Sequence, residues 1–209
     1  MLMLLDRPWI AITALGDSAV TLPCIGLIAL WLLLAAPARN LAWRWLLMAA
    51  GVAVCVAASK LAFMVWGVSL PGLNFTGLSG HAAMAAVTWP AMISLLLGRR
   101  RVAWRVVAVL LGVLLAVAIA WSRVVLHAHS PSEAVLGVSV GLAFSLVFLG
   151  LHWRSLHLRW PAYLTLLPLL LVLPFVYGRH FPSQDILVTI ARHLADGPLH
   201  TRENLRHRL

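Results

Sequence analysis

The chain has 209 residues, of which 62% are hydrophobic and 11% are charged, and its mean hydropathy is +0.95. An ordinary soluble domain is about half apolar and about a quarter charged, so this composition excludes one. The 16 Lys and Arg residues outnumber the 6 Asp and Glu residues, and most of the arginines stand between apolar runs. We interpret them as signals of membrane topology and expect no nucleic-acid partner.

Continuous apolar runs rich in Leu, Ala and Val predict an all-α membrane helix bundle. A transmembrane barrel would need alternating apolar and polar residues, and these runs do not alternate. Each run approaches the length of about 20 residues that a helix needs to cross a bilayer. The six predicted transmembrane helices cover residues 18–36, 44–66, 81–98, 104–122, 134–151 and 160–178.

The regions outside these spans are short. Residues 1–16 cannot cross a bilayer, so we expect an interfacial segment there, without a cleaved signal. With the six spans it makes up a single transmembrane domain over residues 1–178. Residues 179–209 form a basic C-terminal tail with one amphipathic helix predicted around 184–195, and no chemistry is assigned to it.

Arginine residues are distributed unevenly among the connections. Those that follow spans one, three and five are rich in arginine, whereas those after spans two and four contain only Arg123. The positive-inside rule therefore predicts that the arginine-rich connections lie in the cytoplasm. We expect the membrane to be a bacterial inner membrane. The connections 67–80 and 123–133 then face the periplasm or outside. The basic tail argues for the opposite side, but charge bias acts mainly through short loops.

Several polar residues lie beside the two outward connections. Lys60, the only lysine, stands about two turns before the end of span two, where an ionisable group indicates either function or a side chain that reaches the headgroups. At the start of span three, Ser79 can cap the helix and Gly80 allows close approach to the backbone, whose free N–H groups attract an anion. His81 follows. This tripeptide is also a common helix start, so by itself it is weak evidence for catalysis.

A denser polar stretch separates spans four and five. Its polar residues and its proline are Ser122, Arg123, His127, His129, Ser130, Pro131, Ser132 and Glu133. Ser130, Pro131 and Glu133 match a helix capping box with proline at the first helical position. Glu133 also stands four residues after His129, where a carboxylate can accept the ring N–H and orient the imidazole as a nucleophile.

Together these residues resemble the type 2 phosphatidic acid phosphatase family, lipid phosphatases that share a core with vanadium haloperoxidases. The family pattern has three parts: Lys, six residues, Arg-Pro; then Pro-Ser-Gly-His; then Ser-Arg, five residues, His, three residues, Asp. The resemblance covers residues from about 55 to 150, with the third part at the family's spacing, and the opening of span one is also similar. The matching segments are Lys60, Ser79-Gly80-His81, Ser122-Arg123, His129 and Glu133, and, in span one, Leu15-Gly16-Asp17-Ser18.

Three positions depart from the family pattern. Gly67-Val68 stand where the family has Arg-Pro, Leu78 replaces the proline before Ser79, and Glu133 replaces the aspartate. The lost arginine is the most serious departure, because a bidentate guanidinium clamp on phosphate is hard to imitate. Glutamate keeps the charge and moves the carboxylate by about 1.5 Å unless the backbone adjusts.

The resemblance implies a metal-independent phosphatase that needs no cofactor and acts on a lipid phosphate or pyrophosphate. His129 would attack phosphorus, Glu133 would hold its imidazole, and His81 would protonate the leaving oxygen, so that a phosphohistidine forms. His127, when protonated, is a candidate accessory residue in place of the lost arginine. The residues expected to bind phosphate are Lys60, Ser79, Gly80, Ser122 and Arg123.

The same residues allow other interpretations. His81, His127, His129 and Glu133 are acceptable zinc ligands, although no H-E-x-x-H helix is present and a metal would repel the nearby cations. The bundle could also be a non-catalytic lipid-phosphate binding protein or carrier, or a lipid phosphotransferase. The expected partners are membrane lipids and a lipid phosphate such as undecaprenyl pyrophosphate, phosphatidic acid, phosphatidylglycerol phosphate or lipid A. The sequence predicts no oligomeric state.

Overall fold

The computed structural model describes residues 2–35, 39–96, 102–154 and 162–203. Within these ranges the chain is largely helical and contains no strand, which confirms the predicted all-α class. The described helices are α1 (Leu2–Ala14), α2 (Ser18–Ala35), α3 (Asn40–Trp66), α4 (Gly80–Leu96), α5 (Val102–Val125), α6 (Pro131–His152), α7 (Ala162–Val176) and α8 (Ser183–Leu194).

Each of the six predicted spans corresponds to one helix, α2 to α7, but the six-span count is not confirmed. In the part of the chain that the structure describes, four segments are long and apolar enough to cross a membrane. The apolar helix α4 and the apolar part of α7, Leu167–Val176, are shorter. The four longer segments are Arg7–Leu34, which runs through the α1–α2 junction, Asn40–Trp66, Val102–Val125 and Pro131–His152.

The short helix α4 lies at the centre of the bundle. Every residue from Ala82 to Met92 is buried, and α4 packs against α2, α3, α5, α6 and α7. Its neighbours are therefore mainly protein side chains instead of lipid. The thickness of the bilayer constrains the helices that face lipid, and a helix enclosed by protein is not held to the same length.

Glycines allow the helices around α4 to approach it closely. Gly137 and Gly141, one turn apart on α6, lie against the main chain at Ser79 and Ala83. A side chain at either position would meet backbone atoms, which cannot move aside as a flexible side chain can. The small-residue spacing therefore sets a close contact between α6 and α4, as in many membrane helix pairs. This contact places the start of α6 beside the start of α4.

The connections 67–79 and 126–130 meet at one end of the bundle, where the backbone N–H of Ser79 donates to the carbonyl of Glu133 at 3.1 Å. The helix predicted around 184–195 is present as α8, and it packs against α3 at the same end. Phe63, Met64 and Ala191 form a buried apolar cluster between the two helices. The described part of the C-terminal tail, up to residue 203, is therefore on the same side of the bundle as both connections.

Candidate active site

His129 and Glu133 form the central contact of the site. Nδ1 of His129 lies 2.7 Å from Oε2 of Glu133, whose side chain is fully buried in the first turn of α6. His129 also lines a cavity of about 750 Å³ at this end of the bundle. The carboxylate occupies Nδ1, so Nε2 is the ring nitrogen that is free to react.

Glu133 also caps the helix that carries it. The backbone N–H of Ser130 donates to Oε2 of Glu133 at 3.1 Å, and the backbone N–H of Glu133 donates to Oγ of Ser130 at 3.3 Å. These reciprocal bonds form the predicted capping box, with Pro131 as the first helical residue. One carboxylate therefore closes the start of α6 and orients His129, so the two interpretations of Glu133 are compatible.

The other carboxylate oxygen of Glu133, Oε1, accepts hydrogen bonds from two residues, Thr76 and Arg202. The backbone N–H and the hydroxyl of Thr76 each donate to Oε1 at 2.7 Å. Nη2 of Arg202 donates to Oε1 at 2.9 Å and to Oε2 at 2.7 Å. A carboxylate has about four acceptor positions, so these bonds and the contact with His129 use its whole capacity. Sequence reasoning identified neither Thr76 nor Arg202.

Burial lowers the pKa of His129 below its ordinary value of 6.5. The cause is the loss of hydration, which disfavours the charged imidazolium. Glu133 acts in the opposite direction, while Lys60 and Arg123 lower the pKa further. The net effect favours the neutral imidazole at neutral pH, which is the form that a nucleophile needs.

A second histidine lies beside a second carboxylate. Nε2 of His81, in the first turn of α4, is 3.5 Å from Oδ2 of Asp17 at the α1–α2 junction. Asp17 is buried and also accepts the backbone N–H of Ala19 at 2.8 Å. Gly16 lies against the main chain of His81, which brings the junction close to α4. Sequence analysis gave Asp17 no role, although its signal was an acidic residue at the start of an apolar span.

The two predicted cations line the same cavity. Nζ of Lys60 donates to Oε1 of Gln184 at 2.7 Å, and Nη1 of Arg123 donates to Oγ1 of Thr13 at 3.2 Å. Two buried donors, Nε of Arg123 and Oγ of Ser79, make no hydrogen bond within the described residues. Phosphate oxygens are acceptors of the kind that such donors require.

Of the remaining residues predicted to belong to the site, some line the cavity or adjoin it and others lie outside its wall. Gly80 lines the cavity, next to the fully buried Ser79. The hydroxyl of Ser122 is buried and donates to the carbonyl of Ile119 at 2.6 Å, so Ser122 lies outside the cavity wall. His127 is exposed, with φ of 54°, and it is also outside the wall. The structure does not bring Ser122 or His127 to the proposed phosphate position.

Gly67, where the family pattern has arginine, ends α3 in a left-handed conformation with φ of 66°. A Cβ at this position would stand 3.1 Å from ring atoms of His200. The backbone N–H of His200 donates to the carbonyl of Met64 at 2.9 Å, which fixes the main chain of His200 beside the end of α3. The C-terminal tail therefore occupies the space beside Gly67, and His200, Arg192 and Arg202 from this tail also line the cavity.

The structure does not assemble the candidate zinc ligands. Across residues 2–35, 39–96, 102–154 and 162–203, no group of three His, Cys, Asp or Glu side chains is placed to hold a metal ion. His81 instead pairs with Asp17 and His129 pairs with Glu133. The donor set therefore fits paired histidines better than a shared metal centre.

The fold and the site define a class of protein: a helical membrane protein in which two histidines, each beside a carboxylate, share a cationic cavity. The model of the PAP2 superfamily matches residues 65–157. An "Uncharacterized 22.5 kDa protein in cps region" from Klebsiella pneumoniae is 41% identical over 198 residues, which are 91% of this chain and 92% of that protein. No solved structure matches the chain.

The chain belongs to the PAP2 superfamily, which confirms the resemblance to type 2 phosphatidic acid phosphatases. Members of this superfamily are phosphatases, and membership supports a phosphoester hydrolase. The apolar helices and the family together indicate a membrane protein.

Proposed function

We propose that the protein is an integral membrane lipid phosphatase that hydrolyses a lipid phosphate or pyrophosphate through a phosphohistidine intermediate. The observation that carries this proposal is the 2.7 Å contact between His129 and the buried Glu133, in a cavity that Lys60 and Arg123 also line. A nucleophile held by a carboxylate, next to fixed cations, is the arrangement that phosphoryl transfer requires.

Phosphate binding uses donors from three helices. The phosphate lies between Lys60 and Arg123, where Nε of Arg123 and the hydroxyl of Ser79 donate to its oxygens. The N–H groups at the start of α4, near Gly80, add to this site because the N-terminus of a helix favours an anion. These donors stabilise the negative charge on the equatorial oxygens in the transition state.

The reaction then proceeds in two displacements. Nε2 of His129 forms a bond to phosphorus as the bond from phosphorus to the leaving oxygen breaks, and Glu133 stabilises the imidazolium. Protonated His81 gives its proton to the leaving oxygen, while Asp17 stabilises its charged form. Water next attacks phosphorus and loses a proton to His81, the N–P bond breaks, and inorganic phosphate is released. No step uses a metal ion or a cofactor.

The substrate is a lipid whose phosphate lies at headgroup depth, since the cavity is at the end of an apolar bundle. Undecaprenyl pyrophosphate, phosphatidic acid, phosphatidylglycerol phosphate and lipid A all meet this description. The distribution of arginine between the connections supports a site that faces the periplasm from a bacterial inner membrane.

The test uses the purified full-length protein in detergent with a panel of these four lipids. We expect release of inorganic phosphate that vanadate inhibits and that chelators leave unchanged. His129→Ala should abolish turnover and His81→Ala should strongly reduce it. His193→Ala is the matched control, because His193 is exposed on α8 and does not line the cavity.

Each alternative has its own result in this assay. Near-normal turnover by His129→Ala would show that the nucleophile is wrong, and loss of activity with a chelator would favour a metal enzyme. Binding of vanadate without turnover of any lipid would indicate a carrier. Phosphate that appears on a second lipid would indicate a phosphotransferase.

A further inference from the structure

The C-terminal segment, residues 180–202, is packed against the proposed active site. Its helix α8 is held on α3 by the buried cluster of Phe63, Met64 and Ala191, and Val188 and Leu199 extend this cluster. Burial of apolar side chains is a non-directional attraction, so this cluster can hold the segment without any polar contact. The polar contacts of the segment are therefore not needed to hold it on α3.

Two of these polar contacts are with residues of the proposed site: the carboxylate beside the candidate acid and a cation proposed to bind phosphate. Nδ1 of His180 lies 3.0 Å from Oδ2 of Asp17, the carboxylate beside the candidate acid. Oε1 of Gln184 accepts a hydrogen bond of 2.7 Å from Nζ of Lys60. The segment thus contacts the acid side and the phosphate-binding side of the cavity.

The third polar contact is made by Arg202. Its guanidinium bonds both oxygens of Glu133, and it also donates to Oγ1 of Thr76 at 3.1 Å and to Oδ1 of Asn74 at 3.2 Å. Arg202 is partly exposed, whereas the side chain of Glu133 is fully buried. A buried carboxylate is costly unless a charged partner and hydrogen bonds compensate it. Among the described residues that contact this carboxylate, Arg202 supplies the one full positive charge, apart from the histidine that the carboxylate orients.

We propose that Arg202 is a positioning residue for the nucleophile: it fixes the Glu133 carboxylate, and through it the imidazole of His129, so that the C-terminal segment is part of the catalytic site. Glutamate has one more rotatable bond than the aspartate of the family pattern, and its carboxylate therefore needs more restraint to hold a single position. The guanidinium provides that restraint by contacting both carboxylate oxygens. This inference rests on the proposed function for its catalytic consequence.

Removal of Arg202 should also change the protonation of His129. The charge of Arg202 offsets the charge of Glu133 and weakens the attraction of that carboxylate for a proton on His129. Without Arg202 the carboxylate would be less compensated, and the protonated form of His129 would be stabilised. A neutral nucleophile would then be available only at higher pH. A role that was only structural would leave this pH dependence unchanged.

The experiment compares full-length Arg202→Ala and Arg202→Lys with the wild type, using short-chain phosphatidic acid in detergent. We expect Arg202→Ala to lower kcat at least about tenfold and to change KM less than about threefold. The acidic limb of its pH profile should move upward, and Arg202→Lys should recover part of kcat because it keeps the charge. Arg179→Ala is the matched control, since Arg179 is exposed and lies outside the cavity.

Two kinetic results for Arg202→Ala would overturn the inference. One is an Arg202→Ala variant with kcat within about twofold of the wild type and an unchanged acidic limb. The other is an effect confined to KM, which would show that Arg202 contacts the substrate instead of positioning the nucleophile. Loss of kcat in Arg179→Ala to the same degree would also refute it, because any lost arginine would then suffice.

A second measurement separates this inference from the proposed function. If the wild type hydrolyses no lipid of the panel, the proposed function fails, and the protonation of His129 is then followed by NMR of the protein with ¹⁵N-labelled histidine. The His129→Ala spectrum assigns the resonance. The ring of His129 should titrate at higher pH in Arg202→Ala than in Arg179→Ala. Equal titration in the two variants would overturn the positioning role whether or not turnover is seen.

Discussion

The imidazole of His200 lies against Gly67, with ring atoms 3.1 Å from the place that a Cβ of residue 67 would occupy. The two residues are far apart in the chain, and the bond from the backbone of His200 to Met64 holds them together. Gly67 stands where the family pattern has arginine. In this protein the C-terminal segment fills that space, so position 67 does not open onto an empty phosphate subsite.

Substitution of Gly67 tests this relationship. Gly67→Arg should lower kcat/KM at least about tenfold, because the new side chain displaces His200 and with it the C-terminal segment. Gly72→Arg is the matched control: Gly72 also has a positive φ, of 72°, but no atom of the described residues lies within 4 Å of its Cβ position. Both variants carry a similar backbone strain of about 1 kcal/mol, so only the contact with His200 distinguishes them.

The comparison is made by steady-state kinetics and by thermal unfolding of both variants. Tighter vanadate binding in Gly67→Arg would contradict the prediction, because an arginine at this position would then serve the phosphate as it does in the family pattern.

The two cations of the cavity should each be necessary for catalysis. Lys60→Ala and Arg123→Ala should each lower kcat/KM at least about 100-fold, equivalent to about 2.7 kcal/mol of transition-state stabilisation. The reason is that a fixed cation beside a partly enclosed phosphate is screened less by water than one on an open surface. Steady-state kinetics measure the effect, with Arg44→Ala as the control, since Arg44 is exposed and lies outside the cavity. Retained activity in both variants would refute the proposed phosphate site.

The pH dependence of the reaction follows from the lowered pKa of His129. The nucleophile is active when neutral, so activity is full above its pKa and is lost as pH falls through it. Burial lowers that pKa from 6.5, and the acidic limb of kcat/KM should therefore lie below pH 6.5. A profile recorded from about pH 4 to pH 9 with the wild type locates the limb.

Glu133→Gln provides the complementary profile. It removes a charge that raises the pKa of His129, so the acidic limb should move to still lower pH while kcat falls. An acidic limb above pH 6.5 in the wild type, or an upward shift in Glu133→Gln, would contradict the assignment of His129 as the titrating group.

The orientation of the bundle is tested by reporter fusions. Fusions at about residue 100 and about residue 157 should report the cytoplasm, and those near residues 74 and 127 should report the periplasm. A fusion after residue 203 should agree with the one near residue 74, because Arg202 donates to Asn74. The reverse pattern would place the site on the cytoplasmic face and remove the outer-leaflet substrates. Disagreement between the last two fusions would contradict the docked C-terminal segment.

Features that depend on neighbouring residues could be predicted from the sequence. Apolar runs located the six helices α2 to α7 within a few residues, and charge and polarity located α8. The four-residue spacing of His129 and Glu133 predicted their contact, because the side chain of Glu133, at the third helical position, folds back toward the residues just before the start of α6. The capping box at Ser130 was predicted for the same reason. For the contact and the capping box, the backbone geometry of a single helix start is sufficient.

Only the tertiary structure decided the contacts between distant parts of the chain. Asp17 beside His81, Arg202 on Glu133 and His200 against Gly67 each join segments that no local pattern relates. Such contacts follow from how apolar faces pack, above all the cluster that holds α8 on α3. Packing is non-directional and has no fixed spacing in sequence, which is why the tail had no assigned chemistry until the fold placed it in the site.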